Sequence, residues 1–79
     1  MNGTINTMDI ELYVIEKVKN LRTEQGLRQK DIADIIQTKG SFIGNVENPR
    51  NPAKYNLKHI ALLAKYFRIP PREFLPWAA

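Results

Sequence analysis

The 79-residue sequence contains no cysteine and only one histidine, His59. Without cysteine the chain can form neither a disulfide bond nor a thiolate metal site. A zinc site of nitrogen and sulfur ligands normally needs three or four such groups, so a zinc finger is excluded. We therefore expect one small domain that is stabilised by packing of its own helices and by dimerisation, with no metal and no cofactor.

Long hydrophobic runs are also missing. No stretch approaches the roughly 20 apolar residues that span a membrane, and residues 1–8 have neither the basic start nor the apolar middle of a secretory signal. We expect a cytoplasmic protein without a membrane partner. In it, residues 1–8 form a flexible arm, residues 9–76 the folded domain and residues 77–79 a tail.

The sequence also offers no evident combination of catalytic side chains, which argues against an enzyme. His59 follows Lys58 with no evident nucleophile or base partner, and we interpret it as a surface histidine. The segment 40–44, Gly-Ser-Phe-Ile-Gly, lacks the lysine and the preceding strand of a phosphate-binding loop. We predict no catalytic residue.

Charge is what the sequence does have, and it is unevenly distributed. With 43% hydrophobic and 25% charged residues the composition is that of a globular domain, and the net charge is +4. Between Asn48 and Arg72 there are six basic residues and no acidic one. A positive region of this kind favours an anionic partner.

Apolar periodicity predicts an all-α bundle of about five short helices and no strand. Gly26 should end the first helix, and Pro49 should stop the third. Leu57, Ile60, Ala61, Leu63, Ala64 and Phe67 make the fourth helix the most strongly amphipathic. The predicted helices run from Asp9 to Gln25, from Gln29 to Ile36, from Lys39 or Gly40 to Glu47, from about Lys54 to Phe67, and over a short turn from Pro71 to Leu75.

Two short helices joined by a tight turn and framed by longer helices have the layout of a helix-turn-helix module. Several positions carry a more specific pattern: Leu21-Arg22, Gly26-Leu27, Gln29, Ile32-Ala33, Ile43, Val46-Glu47-Asn48, Pro52 and Ile60-Ala61. Their spacing closely resembles that of the Cro and phage-repressor helix-turn-helix family, also called the Xre family, over about residues 10–75. The resemblance implies a sequence-specific transcriptional regulator, acting as a repressor, that binds double-stranded DNA as a homodimer.

By the resemblance, helix three (about 39–47) enters the major groove and its outward face reads base edges. Asn45 and Ser41 are the best readers, because asparagine pairs bidentately with adenine and serine can contact several bases. The full predicted set of base-reading residues is Lys39, Gly40, Ser41, Gly44 and Asn45.

The resemblance also implies which residues position the protein on the phosphate backbone. Gln29 begins helix two, from which its side chain would reach a phosphate and brace helix three. The other expected phosphate contacts lie near helix ends. They are Arg28, Lys30, Asn48, Arg50, Asn51 and Lys54.

Family members pair a helix-one arginine with a helix-three glutamate, and the matching residues here are Arg22 and Glu47. Such a pair would orient helix three; the alternative is a solvated surface pair. The chain departs from the family pattern at Gln37, where a glycine is common, and at Lys39, where a serine or threonine often caps helix three. Thr38 or Ser41 could supply that cap. Gly40 and Gly44 leave two outward positions of helix three without side chains.

Other functions stay open on the sequence alone. The aromatic end of the chain, which comprises Tyr66, Phe67, Phe74 and Trp77, could dock on a protein partner or form the dimer contact. A protein-interaction module or the antitoxin half of a toxin-antitoxin pair would use the same fold. RNA binding is compatible with the charge but lacks an aromatic platform on a sheet.

Overall fold

A computed structural model describes residues 7–76 of the chain, and it places side chains from Ile10 onward. The helices are α1 (Thr7–Glu24), α2 (Gln29–Ile36), α3 (Gly40–Glu47) and α4 (Leu57–Phe67), followed by one 3₁₀ turn (Pro71–Phe74). Residues 7–76 contain no strand. The predicted all-α fold is confirmed, with four α-helices and a 3₁₀ turn in place of five helices. The N-terminal arm, apart from its last two residues, and the tail lie outside the described residues.

The core draws one large, fully buried side chain from each element. These are Val18, Ile32, Ile43, Leu63 and Phe74. Burying a side chain of this size stabilises the fold by roughly 1.5–3 kcal/mol before the cost in conformational entropy. Because every element contributes, the core fixes α3 against the rest of the molecule.

Three helices end in the same backbone motif, α4 among them through Arg68 at φ 59° and the Ile69 N–H bonded to the Ala64 carbonyl at 3.1 Å. Gly26 lies in the left-handed region at φ 68°, and the Leu27 N–H donates to the Arg22 carbonyl at 2.8 Å. This confirms Gly26 as the end of α1. Gln37 adopts the same conformation at φ 63°, and the Thr38 N–H donates to the Ala33 carbonyl at 2.9 Å. A residue with a Cβ atom is strained in this region, where glycine is favoured.

Two predicted helix starts were wrong. α4 begins at Leu57 and not near Lys54, because Asn56 caps it: the Asn56 side chain accepts from the His59 N–H at 2.8 Å, and the Asn56 N–H donates to His59 Nδ1 at 3.2 Å. α1 begins at Thr7, two residues before Asp9. None of the helices described is long and apolar enough to cross a membrane.

The aromatic end of the chain is partly built into the core. Phe74 is fully buried and Phe67 packs against the core cluster, whereas Tyr66 is half exposed. Trp77 lies outside the described residues. Two of the four aromatic residues considered for docking are therefore used to hold the fold together.

Candidate nucleic-acid interface

Helix α3 has a buried inner face, which packs against the core, and an outer face that is exposed to solvent. Ile43 and Val46 are buried, and α3 packs mainly against α2. On the opposite side Ser41 and Asn45 are exposed, as are Lys39 and Gly40 at the start of the helix. Four of the five predicted base-reading residues are therefore exposed to solvent.

Gly44, the fifth, is different from the open position that the sequence analysis expected. It is half-buried, and a Cβ atom there would lie 3.5 Å from Gln29 Oε1. The Gln29 amide covers this turn of α3, whereas Gly40 has open space around it. Of the two glycines of α3, only Gly40 is an uncovered position.

Arg22 and Glu47 form a bidentate ion pair between α1 and α3. Arg22 Nη2 lies 2.9 Å from Glu47 Oε1, and Arg22 Nε lies 3.0 Å from Oε2. The side chains are 14% and 6% exposed. Arg22 Nη1 also donates to the Leu27 carbonyl at 3.1 Å, and Gln29 Nε2 donates to Glu47 Oε1 at 3.0 Å. The Glu47 carboxylate thus ties the last turn of α3 to α1 and to the start of α2.

The start of α3 has no side-chain cap, so the expectation for Thr38 or Ser41 was wrong. Lys39 occupies the cap position without a side-chain hydrogen bond, and the Thr38 hydroxyl donates instead to the Lys39 carbonyl at 3.4 Å. The reason is the residue at the cap position: the Lys39 ammonium group can only donate, so it cannot accept from the free N–H groups of α3. The positive end of the α3 dipole is therefore not offset by a side-chain acceptor at the cap position.

Six of the seven expected phosphate-contacting residues fall into two groups, and the seventh, Gln29, is hydrogen-bonded to Glu47. Arg28, Lys30 and Arg50 are exposed, although Arg28 Nη2 lies 3.4 Å from Asp31 Oδ1. The Arg28 N–H donates to Asp31 at 2.7 Å, and this backbone hydrogen bond, followed by that from the Arg28 side chain, lowers the pKa of Asp31. The capping carboxylate is thereby kept charged at the start of α2.

The second group stabilises the loop between α3 and α4. Asn48 accepts from the Arg50 N–H at 3.0 Å, and Asn51 accepts from the Ala53 N–H at 2.9 Å. Lys54 Nζ donates to the Pro52 carbonyl at 3.2 Å. These side chains fold back onto their own loop, so they shape the backbone that presents Arg50.

The sequence analysis missed an aromatic cluster beside α3. His59 was interpreted as a surface residue, but it is half-buried and its ring centroid lies 5.3 Å from that of Phe42 and 6.1 Å from that of Tyr55. Burial, followed by the charge of Lys58, lowers the pKa of His59. The signal for this arrangement was the spacing of Asn56 and His59, which is that of a helix cap.

Tyr55 joins this cluster to the ion pair. Burial raises the pKa of its hydroxyl, and the charge of Glu47 raises it further. The hydroxyl is buried and makes no hydrogen bond with any of the residues described. Tyr55 therefore contributes to the site through its ring.

Comparison with known proteins places the fold among solved structures. No protein-family model matches the chain, and neither does any curated protein. The chain is similar in fold to a transcriptional regulator from Listeria innocua. The TM-score is 0.69 at 20% sequence identity, over 81% of this chain.

The Listeria regulator is the longer of the two proteins, and this chain spans 58% of its length. At 20% identity the likeness concerns the arrangement of the helices.

Among the residues that the structure describes, no group of three histidine, aspartate or glutamate side chains could hold a metal ion.

Proposed function

We propose that this chain is a sequence-specific transcriptional regulator of the Cro and phage-repressor type, which binds double-stranded DNA by inserting α3 into the major groove. One observation carries the proposal. The inner face of α3 is fixed by the core and by the Arg22, Glu47 and Gln29 network, while Lys39, Ser41 and Asn45 remain exposed. A rigid helix with a free polar face is what groove recognition requires.

The chemistry of that face suits base reading. Asn45 can donate to and accept from adenine, Lys39 can donate to guanine, and the Ser41 hydroxyl can do either. Each well-formed bidentate contact discriminates between bases by about 1–3 kcal/mol. Gly40, which has no neighbouring atom within 4 Å of its would-be Cβ position, lets the α3 backbone approach the DNA closely.

Phosphate contacts position this face on the duplex. Arg28, Lys30 and Arg50 are exposed cations, and Gln29, Asn48, Asn51 and Lys54 complete the proposed set. Four of the seven are cations, so if each neutralises one phosphate, the logarithm of affinity falls against the logarithm of salt concentration with a slope of about −3.6 for each subunit.

A two-fold homodimer would present two copies of α3 to half-sites roughly 34 Å apart, one helical turn along the DNA. Its operator would then be an inverted repeat. Occupancy of such a site within a promoter would exclude other proteins, which is the simplest way in which a domain this small represses transcription.

Selection from a random double-stranded DNA library tests the proposal. At about 0.15 M salt, where non-specific phosphate binding is weakened, the purified protein should enrich one sequence arranged as an inverted repeat. Failure to enrich any sequence, with the protein folded and helical by circular dichroism, would contradict the proposal. A protein partner, as in an antitoxin, would then be sought by pull-down.

A further inference from the structure

An apolar groove lies on the side of the molecule formed by α1, the start of α4 and the segment after the 3₁₀ turn. We define it by Ile10, Val14, Leu57, Ile60, Ala61 and Leu75. It consists of two adjoining cavities of about 330 and 290 Å³ that share Leu57, Ile60 and Leu75 as walls. None of the six residues belongs to α2 or α3, so an occupant of the groove leaves the outer face of α3 free.

Three of these side chains are exposed to an extent that is unusual for their size. Leu57 is 86% exposed, Leu75 43% and Ile10 37%. Leu57 is the first residue of α4, so its position is fixed by the cap at Asn56 and not by contact with the core. A contiguous apolar surface of this kind is typical of an interaction site.

The charges at the ends of the apolar groove indicate what covers it. Among the described residues that line it, one is acidic and one is basic: Glu11 lies at the end formed by α1, and Arg72 at the end formed by the 3₁₀ turn. A two-fold axis through the shared wall at Leu57 would bring Glu11 of one copy opposite Arg72 of the other, twice. The surface is therefore complementary to itself, which is the requirement for a two-fold interface.

We propose that the apolar groove is the homodimer interface of this chain, with the two Leu57 side chains packed at the axis and Glu11 paired with Arg72 across each end. The partner is a second copy of the same chain. This assignment rests on the homodimer of the proposed function, but the association can be measured without DNA. This interface is distinct from the aromatic end of the chain, where Phe74 is fully buried in the core.

Leu57→Asp is the most informative variant. The substitution places two like charges at the axis of the dimer, and it should weaken association at least 100-fold. An acidic residue is favourable in the first turn of a helix, and Leu57 has little contact with the core, so the monomer should stay folded. Tyr66→Asp is the matched control, because Tyr66 is half exposed at the aromatic end and should leave association unchanged.

Charge reversal tests the pairing itself. Glu11→Arg and Arg72→Glu should each weaken association by about tenfold or less, since these contacts lie at the rim. The double variant should restore it, because the pair is re-formed with its charges exchanged.

Sedimentation equilibrium of the full chain without DNA, over a range of concentrations up to high micromolar, measures all of these variants. We expect a monomer–dimer equilibrium that Leu57→Asp abolishes, that Tyr66→Asp preserves and that the double reversal rescues. A wild-type chain that stays monomeric, or a dimer that survives Leu57→Asp, would overturn the assignment. So would disruption by Tyr66→Asp alone. DNA selection by a monomeric chain would leave the proposed DNA binding intact while this interface fails.

Discussion

Truncation of Arg22 is the perturbation whose size follows most directly from the structure. Arg22→Ala removes two hydrogen bonds to Glu47, at 2.9 and 3.0 Å, and one to the Leu27 carbonyl at 3.1 Å. It also leaves a carboxylate that is only 6% exposed with the Gln29 amide as its remaining side-chain partner. Removing one member of a buried ion pair costs roughly 3–5 kcal/mol.

We expect the lower end of that range, about 3 kcal/mol, because Gln29 still donates to Glu47 and the pair is partly solvated. For a domain of this size the melting temperature should fall by roughly 12–24 °C. Urea unfolding followed by circular dichroism gives the free energy of unfolding directly.

Arg28→Ala is the matched control for this prediction. It also removes an arginine from an ion pair, but the Arg28 and Asp31 pair is on the surface at 3.4 Å, and its loss should barely change the melting temperature. Replacing both members of the buried pair, by Arg22→Met with Glu47→Leu, should cost less than Arg22→Ala alone. If Arg22→Ala is no more destabilising than Arg28→Ala, the pair does not fix α3 and the reasoning is refuted.

Three further predictions concern the turn and the aromatic cluster. Gln37→Gly should raise the free energy of unfolding by about 0.5–1 kcal/mol, since it relieves a side chain at positive φ; an unchanged or lower stability in urea unfolding would contradict this. Because the pKa of His59 lies below its ordinary value of 6.5, the unfolded chain binds that proton more readily. The stability due to His59 is therefore complete above about pH 6.5 and is lost as the pH falls toward the folded pKa. His59→Gln should flatten the dependence of melting temperature on pH just below 6.5, and an unaltered slope would show that the ring is solvated. Tyr55→Phe should preserve or raise stability, by up to about 1 kcal/mol, because the hydroxyl is buried without a partner among the residues described; a loss of more than this in urea would show that the hydroxyl is bonded.

The helices were predictable wherever local chemistry marks an end. The bounds of α2, from Gln29 to Ile36, and the termination of α1 at Gly26 both agree with the sequence-based expectation. The predicted start of α4 was wrong because the apolar pattern carries no information about helix caps. The helix begins after Asn56, whose side chain caps it. The family pattern likewise suggested a hydroxyl cap for α3 from Thr38 or Ser41, but the cap position is held by Lys39, whose side chain has no acceptor.

The site was less predictable, because it depends on long-range contacts. Arg22 and Glu47 are 25 residues apart, and only the family resemblance, not periodicity, brought them together. The covering of Gly44 by Gln29 and the packing of His59 against Phe42 are also tertiary effects. Periodicity similarly assigned Leu57 to the apolar stripe of α4. It cannot show which residues of such a stripe stay exposed in the folded chain, as Leu57 does.

The most direct test of DNA reading by α3 is to repeat the library selection with Asn45→Ala and to compare the enriched sequences with those of the wild type. Asn20→Ala, which truncates an exposed asparagine on α1, serves as the control. Asn45→Ala should lose base preference at one position in each half-site while Asn20→Ala retains it, and Arg50→Ala should weaken binding to all sequences equally. Identical base preferences in the wild type and Asn45→Ala, at every position, would contradict the assignment of Asn45 as a base-reading residue of α3.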